Sequence, residues 1–126
     1  MLETLSSCCY QSLEFLDLSS NQLSGKLPHS LGQLSRLSHL DLSSNSLSGL
    51  VPATMGNLSN LDTLNLEGNM MNGKIPESIG QLTKLYDLNL LKNNWEGTMT
   101  NIHFQFSIIS QTYSFSLYHL KGTHLP

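Results

Sequence analysis

The chain has 126 residues, of which 39% are hydrophobic and 12% are charged, so it has the size and composition of one small folded domain. Its 6 Lys and Arg residues against 9 Asp and Glu residues give a formal net charge of -3, which argues against a nucleic-acid-binding protein. No stretch approaches the roughly 18 consecutive apolar residues of a membrane-spanning helix, and the first residues lack the basic segment and apolar run of a signal peptide.

Residues 1–12 are predicted to form an irregular N-terminal flank. They contain both cysteines, Cys8 and Cys9, and adjacent residues rarely reach disulfide geometry without strain. We therefore expect no internal disulfide. Two interpretations stay open for these residues: a bond from one of them to a cysteine outside this sequence, or a free thiol.

A repeat of 24 residues fills residues 13–104, which hold about four units. Leucine, asparagine and glycine recur at fixed positions of the unit. These positions are Leu13, Leu37, Leu61 and Leu85; Leu16, Leu40, Leu64 and Leu88; Leu18, Leu42, Leu66 and Leu90; Asn21, Asn45, Asn69 and Asn93; and Gly25, Gly49, Gly73 and Gly97. Proline follows in three units, and Thr100 takes its place in the fourth. Self-similarity at this period predicts stacked units that share one interior.

Each unit is predicted to begin with a short strand and a turn. In the first unit, Leu16 and Leu18 point to one face of the strand, and Asp17 points to the other. Stacking of successive strands then builds a parallel sheet over a leucine interior. At the turn, an asparagine amide can satisfy backbone groups that the turn leaves unpaired. We predict a structural asparagine ladder at Asn21, Asn45, Asn69 and Asn93.

The second half of each unit is predicted to form the convex side. Gly25 permits a backbone conformation that a side chain would obstruct, and Pro28 suits an irregular or edge segment. The residues that follow, HSLGQLSRL in the first unit, fit a single helical or 3₁₀ turn. The predicted fold is a solenoid with a short parallel β-sheet on its concave face and an irregular or 3₁₀ convex side.

The stretch LSSNQLSGKLPHSLGQLSRLSHLDLSSNSLSGLVP resembles the extracellular leucine-rich repeats of plant receptor-like proteins and receptor kinases. The pattern LxxLxxLxLxxNxLxGxxP, typical of that subclass, extends from Leu13 to about Met99. Asn93–Phe104, NNWEGTMTNIHF, is similar to a segment of defence-type receptor-like proteins, which usually have a membrane span and a short tail but no kinase. The resemblance implies a leucine-rich-repeat solenoid that recognises a protein or peptide ligand. Kinase signature segments do not occur in these 126 residues.

The repeat pattern stops after Phe104, and residues 105–126 are predicted to be a divergent C-terminal tail. The tail lacks the paired cysteines that the resembled family carries in its flanking caps. We therefore interpret the sequence as a truncated or mispredicted gene product, with a true cap as the alternative. Residues 107–120 are rich in Ser, Tyr, Phe and Ile, a composition that favours one irregular added strand or aggregation at the open end.

The outward strand positions are the candidate ligand-binding face, because a parallel sheet presents one row of side chains from each repeat. They form a polar, mildly acidic panel suited to a basic or hydroxyl-rich peptide, and the alternative is ordinary solvated strand surface. The candidates are Phe15, Asp17, Ser19, His39, Asp41, Ser43, Thr63, Asn65, Glu67, Asp87, Asn89 and Leu91. Phe15 is the best single anchor, unless it covers the open end. Asp17 and Asp41 should lie about 4.8 Å apart on adjacent strands, so their repulsion is expected to raise the pKa of one of them if water does not screen it.

Catalytic, cofactor and metal sites are not expected. The chain has no GxSxG, GxxxxGK[ST] or GxGxxG segment, and its 5 histidines show neither HxxxH spacing nor carboxylate partners. The one glycosylation sequon begins at Asn57, on the convex stretch, where a glycan would not block the concave face.

The sequence thus predicts a non-enzymatic recognition module, similar to the ectodomains of plant defence receptors, with a protein or peptide ligand and a co-receptor as expected partners. Its expected location is the extracellular face of the plasma membrane, provided that the chain is part of a full receptor. Two alternatives stay open. One is a structural fragment without independent activity, and the other is a secreted repeat inhibitor of a cell-wall enzyme that would use the same concave strands.

Overall fold

The computed structural model describes Leu2, residues 10–96 and two short strands at residues 114–116 and 120–121. The predictions for Cys8 and Cys9, and those for the segment that contains Gly97, Thr100 and Phe104, lie outside the described residues.

Each unit contributes a first strand, a turn and a second strand, and three units continue into a 3₁₀ helix. The strands are β1 (Phe15–Asp17), β2 (Ser24–Lys26), β3 (His39–Asp41), β4 (Ser46–Gly49), β5 (Thr63–Asn65), β6 (Met70–Lys74), β7 (Asp87–Asn89), β8 (Asn94–Glu96), β9 (Ser114–Ser116) and β10 (Leu120–Lys121). The 3₁₀ helices are His29–Gln33, Ala53–Asn57 and Glu77–Gln81. One short helix in each of the three units whose convex segment is described agrees with the prediction for the convex side.

The first strands of the units form one parallel sheet in the order β1-β3-β5-β7-β9. Equivalent positions of successive units lie side by side, so that Phe15 pairs with His39 and Leu16 with Leu40. The predicted leucine-rich-repeat solenoid with a parallel concave sheet is confirmed.

The interior is a continuous stack of leucines contributed by successive coils. Leu40, Leu64 and Leu88 are buried, one from each of three neighbouring first strands. Burial of each such side chain stabilises the fold by about 2 kcal/mol. Leu16 and Leu18, in the first coil of residues 10–96, are only partly buried, in agreement with described strands on one side of this coil only.

The convex side is more regular than the sequence predicted. The segments after the turns form a second parallel sheet, in the order β10-β8-β6-β4-β2. Its register is shifted relative to the repeat, because Ser24 pairs with Ser46 and not with Ser48, its equivalent one unit later. Gly25 adopts a positive φ of 84°, the unusual backbone conformation that its position was expected to need.

The 3₁₀ helices of successive coils lie so close together that there is no room for a side chain between their backbones at Gly56. A β-carbon added to Gly56 would lie 2.6 Å from the carbonyl oxygen of Ser78 in the next helix. The Ser78 hydroxyl, in turn, donates a hydrogen bond of 2.7 Å to the carbonyl of Ala53. Glycine and small hydroxyl residues therefore set the close stacking of the convex side, which holds the concave strands in register.

Candidate ligand-binding face

The structure places all the predicted face residues on or directly after β1, β3, β5 and β7. The leucine at the centre of each of β3, β5 and β7 is buried, and the residues that flank it leave the sheet on the opposite side. Two rows of side chains result. The first row is Phe15, His39, Thr63 and Asp87, and the second row is Asp17, Asp41, Asn65 and Asn89.

The first row begins with an aromatic stack that the sequence analysis did not predict. The rings of Phe15 and His39 lie with their centroids 4.2 Å apart and their planes 6° from parallel. Phe15 remains 62% exposed, whereas Thr63, in the same row, is only 8% exposed and offers little surface to a ligand. The signal for the stack was in the sequence, since the two residues occupy the same position of successive repeats.

The residues of the second row are the last residues of β1, β3, β5 and β7. Each of its residues accepts a hydrogen bond through its Oδ1 atom from the backbone N–H group two residues further on, at 2.9–3.1 Å. Short polar side chains favour such local turns. One oxygen of each residue in this row therefore has a structural role, and the side chain is held in a fixed orientation on the concave face.

The half of the face formed by β5 and β7 is also paired internally. Asn89 Nδ2 donates to Glu67 Oε2 at 2.8 Å, and Lys92 Nζ lies 3.5 Å from Glu67 Oε1. Asn65 Nδ2 donates to Asp41 Oδ2 at 3.3 Å, which connects β5 to β3. The role of Lys92 in balancing the charge of Glu67 was not predicted, because the two residues belong to different repeats and occupy different positions of the unit.

The pKa increase that the pairing of Asp17 and Asp41 would cause without screening does not occur at Asp17. Its pKa is lowered, first by a hydrogen bond from the Ser19 side chain, then by one from the Ser19 backbone N–H group, and by the nearby His39. Hydrogen bonds to the charged form favour that form, and Asp17 is exposed, so water screens its neighbour Asp41. The carboxylate of Asp17 is therefore ionised across the physiological pH range.

We expect a carbon-detected NMR titration to give Asp17 a pKa below its ordinary value of 3.8, because Ser19 stabilises the carboxylate. Ser19→Ala should move this pKa back toward 3.8, whereas Ser43→Ala, the same change one strand away, should leave it in place. Because the folded-state pKa is depressed, the contribution of Asp17 to stability is present above the unfolded-state pKa and is lost as the pH falls through the folded value. A midpoint at or above 3.8 would contradict this expectation.

The asparagine ladder runs beside this face and links neighbouring coils. Asn45 Nδ2 donates to the carbonyl of Leu42 in its own coil at 3.1 Å and to that of Leu18 in the preceding coil at 3.0 Å. Its Oδ1 accepts from the backbone N–H of Leu23 at 3.1 Å. The same bonds to the preceding coil recur at the next two ladder positions. The ladder therefore fixes the spacing of the strands that carry the face.

Two family models match the chain. The model described as "Leucine rich repeat" matches residues 35–94, and "Leucine Rich repeats (2 copies)" matches residues 11–52. The chain belongs to the leucine-rich-repeat family. No curated protein gave a significant sequence match.

Several solved structures share the architecture of this leucine-rich-repeat chain. A chain of the BIR3–SERK2 complex from Arabidopsis thaliana is 30% identical, with a TM-score of 0.80 over 99% of this chain and 63% of that chain. The BIR2 ectodomain from Arabidopsis thaliana is 34% identical, with a TM-score of 0.79 over 95% and 62% of the two chains.

A longer relative is the ectodomain of the receptor kinase GASSHO1/SCHENGEN3 from Arabidopsis thaliana, in complex with CASPARIAN STRIP INTEGRITY FACTOR 2. It is 32% identical, with a TM-score of 0.77 over 97% of this chain and 16% of that chain. The leucine-rich-repeat chain thus spans less than two thirds of each of these proteins. Its repeats are of the plant extracellular receptor type. Within the described residues, no helix has the length and apolar character needed to cross a bilayer.

Proposed function

We propose that this chain is a recognition segment of a plant cell-surface receptor-like protein in defence or developmental signalling, and that it binds a protein or peptide ligand along its concave sheet. The observation that carries the proposal is the preformed face itself. Its second row is fixed by hydrogen bonds at 2.9–3.1 Å, so little side-chain entropy is lost when a ligand binds. The similar ectodomain of GASSHO1/SCHENGEN3, solved with a bound factor, supports a ligand-binding role.

An extended peptide suits this face because its own side chains repeat at a regular spacing. Neighbouring strands lie about 4.8 Å apart, and alternate residues of an extended peptide lie about 6.6 Å apart. A peptide that crosses the strands can therefore place its alternate side chains against more than one repeat, without a one-to-one match between the two spacings. Under this proposal a co-receptor would bind elsewhere on the solenoid or on the bound peptide.

The proposed extracellular location makes Asn57 a candidate glycosylation site. Asn57 is exposed and ends the second 3₁₀ helix, while Leu58, the central residue of the sequon, is buried. A glycan there would project from the convex side and leave the concave strands accessible. Secretion from plant cells followed by glycosidase treatment should produce a mass decrease that is absent in Asn57→Gln.

Site-specific photo-crosslinking can test the proposed function with two matched positions. A benzophenone side chain is placed at Ser43, on the concave side, or at Ser46, in β4 of the opposite sheet. The full chain is then exposed to secreted plant peptides. Adducts that form at position 43, and that excess unlabelled chain suppresses, would support a concave ligand site. Equal labelling at both positions, or adducts at neither, would overturn the proposal.

A further inference from the structure

The Phe15–His39 stack is the most exposed aromatic feature of the candidate face. β1 has a described neighbour on one side only, namely β3, so His39 covers one face of the Phe15 ring. The described residues leave the opposite ring face uncovered, in agreement with the 62% exposure of Phe15. With the rings stacked at 4.2 Å and nearly parallel, the open aromatic surface lies parallel to the His39 ring.

Each ring of the stack has a carboxylate two residues further along its own strand. Asp17 follows Phe15 on the same side of β1, about 6.6 Å away along the backbone, and Asp41 follows His39 in the same manner. The backbone N–H of Ser19 holds the Asp17 carboxylate at 2.9 Å, and that of Ser43 holds the Asp41 carboxylate at 2.9 Å. Two oriented anionic groups therefore lie beside an oriented aromatic surface.

The charge of this corner of the face is unbalanced. Glu67, two strands from Asp17, has Lys92 at 3.5 Å, whereas the ion pairs recorded for the described residues include none to Asp17 or Asp41. The whole chain has a net charge of -3. A cationic group is thus the complementary ligand for this corner.

We propose that the Phe15–His39 stack and the carboxylates of Asp17 and Asp41 form a subsite for an arginine side chain of the ligand. The planar guanidinium ion stacks on aromatic rings and presents several N–H donors in the geometry that carboxylates accept. The ammonium group of lysine gives a point charge without the planar contact, so arginine is favoured over lysine. This subsite rests on the proposed function, because it assumes that the concave sheet is the ligand-binding face.

A pair of peptides tests the subsite on the full 126-residue chain. The first is Gly-Ser-Arg-Ser-Gly with blocked ends, and the second has citrulline, the neutral isostere, in place of arginine. In ¹⁵N-edited NMR titrations, the arginine peptide should shift the amide signals of residues 15–19 and 39–43. The citrulline peptide should bind at least about fivefold more weakly, because it lacks the charge.

Variants of the chain separate the two contributions. Phe15→Leu keeps an apolar side chain but removes the aromatic face, and it should weaken binding of the arginine peptide about threefold. Asp17→Asn should weaken binding by a similar factor and reduce its dependence on salt. Asp62→Asn removes the same charge outside the candidate face and should leave the dissociation constant unchanged within twofold. Both test positions are exposed, and dispersed NMR spectra will show that the variants are folded.

Equal binding of the two peptides, or shifts confined to other residues, would overturn the arginine subsite. This failure is distinguishable from failure of the proposed function. If crosslinks form at position 43 while the arginine peptide shows no preference, the concave face binds a ligand of different chemistry and only the subsite is wrong. If neither experiment gives a signal on the concave face, both proposals are wrong.

Discussion

Asn69→Ala should destabilise the fold by about 3 kcal/mol, because it removes the buried centre of the asparagine ladder. Asn69 is 8% exposed, and its Nδ2 donates to the carbonyls of Leu42 at 3.0 Å and Leu66 at 3.1 Å. Its Oδ1 accepts from the backbone N–H of Leu47 at 3.0 Å. Alanine leaves the Leu47 N–H without its partner, and an unpaired buried group costs about 1–3 kcal/mol. It also removes one of two amide donors from each carbonyl, because Leu42 still accepts from Asn45 Nδ2 and Leu66 from Asn93 Nδ2, and each lost bond adds about 0.5–1.5 kcal/mol.

The measurement is urea denaturation followed by the fluorescence of Trp95, the single tryptophan of the chain. The matched control is Asn21→Ala, at the exposed first position of the ladder, where the amide donates to the carbonyls of Leu18 and Ser19 in its own coil. Water can replace those bonds, so the control should lose less than about 1 kcal/mol. Equal losses in the two variants would show that burial does not determine the strength of the ladder.

Trp95→Ala should cost about 4 kcal/mol, the largest effect that we expect from a single substitution. Trp95 occupies the position of Leu47 in an earlier repeat, and it is only 1% exposed at the end of the described leucine core. Its indole Nε1–H donates to the carbonyl of Leu90 at 2.7 Å. Removal of a buried aromatic side chain costs about 3–5 kcal/mol through lost transfer energy and the cavity that remains.

Two further substitutions divide this effect into its parts. Trp95→Phe keeps most of the volume and removes the hydrogen bond, so it should cost about 1–2 kcal/mol. Trp95→Leu restores the usual residue of the repeat but leaves part of the cavity, so its cost should lie between the other two. Urea denaturation followed by far-ultraviolet circular dichroism gives all three values. A loss below about 1 kcal/mol for Trp95→Ala would mean that the last described coil contributes little to the cooperative fold.

The concave architecture was predictable because it depends on residues that recur with the repeat. Leu16 and Leu40 reveal the register of the first sheet, since equal positions in neighbouring coils must lie side by side. The second sheet was not predicted. Its strand Ser24–Lys26 has only three residues, all exposed, and therefore lacks the alternation that identifies a half-buried strand.

The candidate face was predictable as a set of positions but not as a chemical surface. The repeat determines which residues point outward, whereas the exposure and charge of each depend on its neighbours. Thr63 is covered although it occupies the same row as the exposed Phe15. The lowered pKa of Asp17 arises from Ser19, only two residues away, and a local hydrogen bond of this kind outweighs the repulsion that strand spacing alone suggested.

The ladder also affects how a protein of this type can change in length. The bonds described for Asn45 and Asn69 stay within one coil or reach the adjacent coil. Duplication or excision of one entire unit therefore recreates the same junction between new neighbours. Insertion of a single residue would instead misalign an amide with its partners on both sides, so gene rearrangements that preserve the period should be tolerated far better than those that do not.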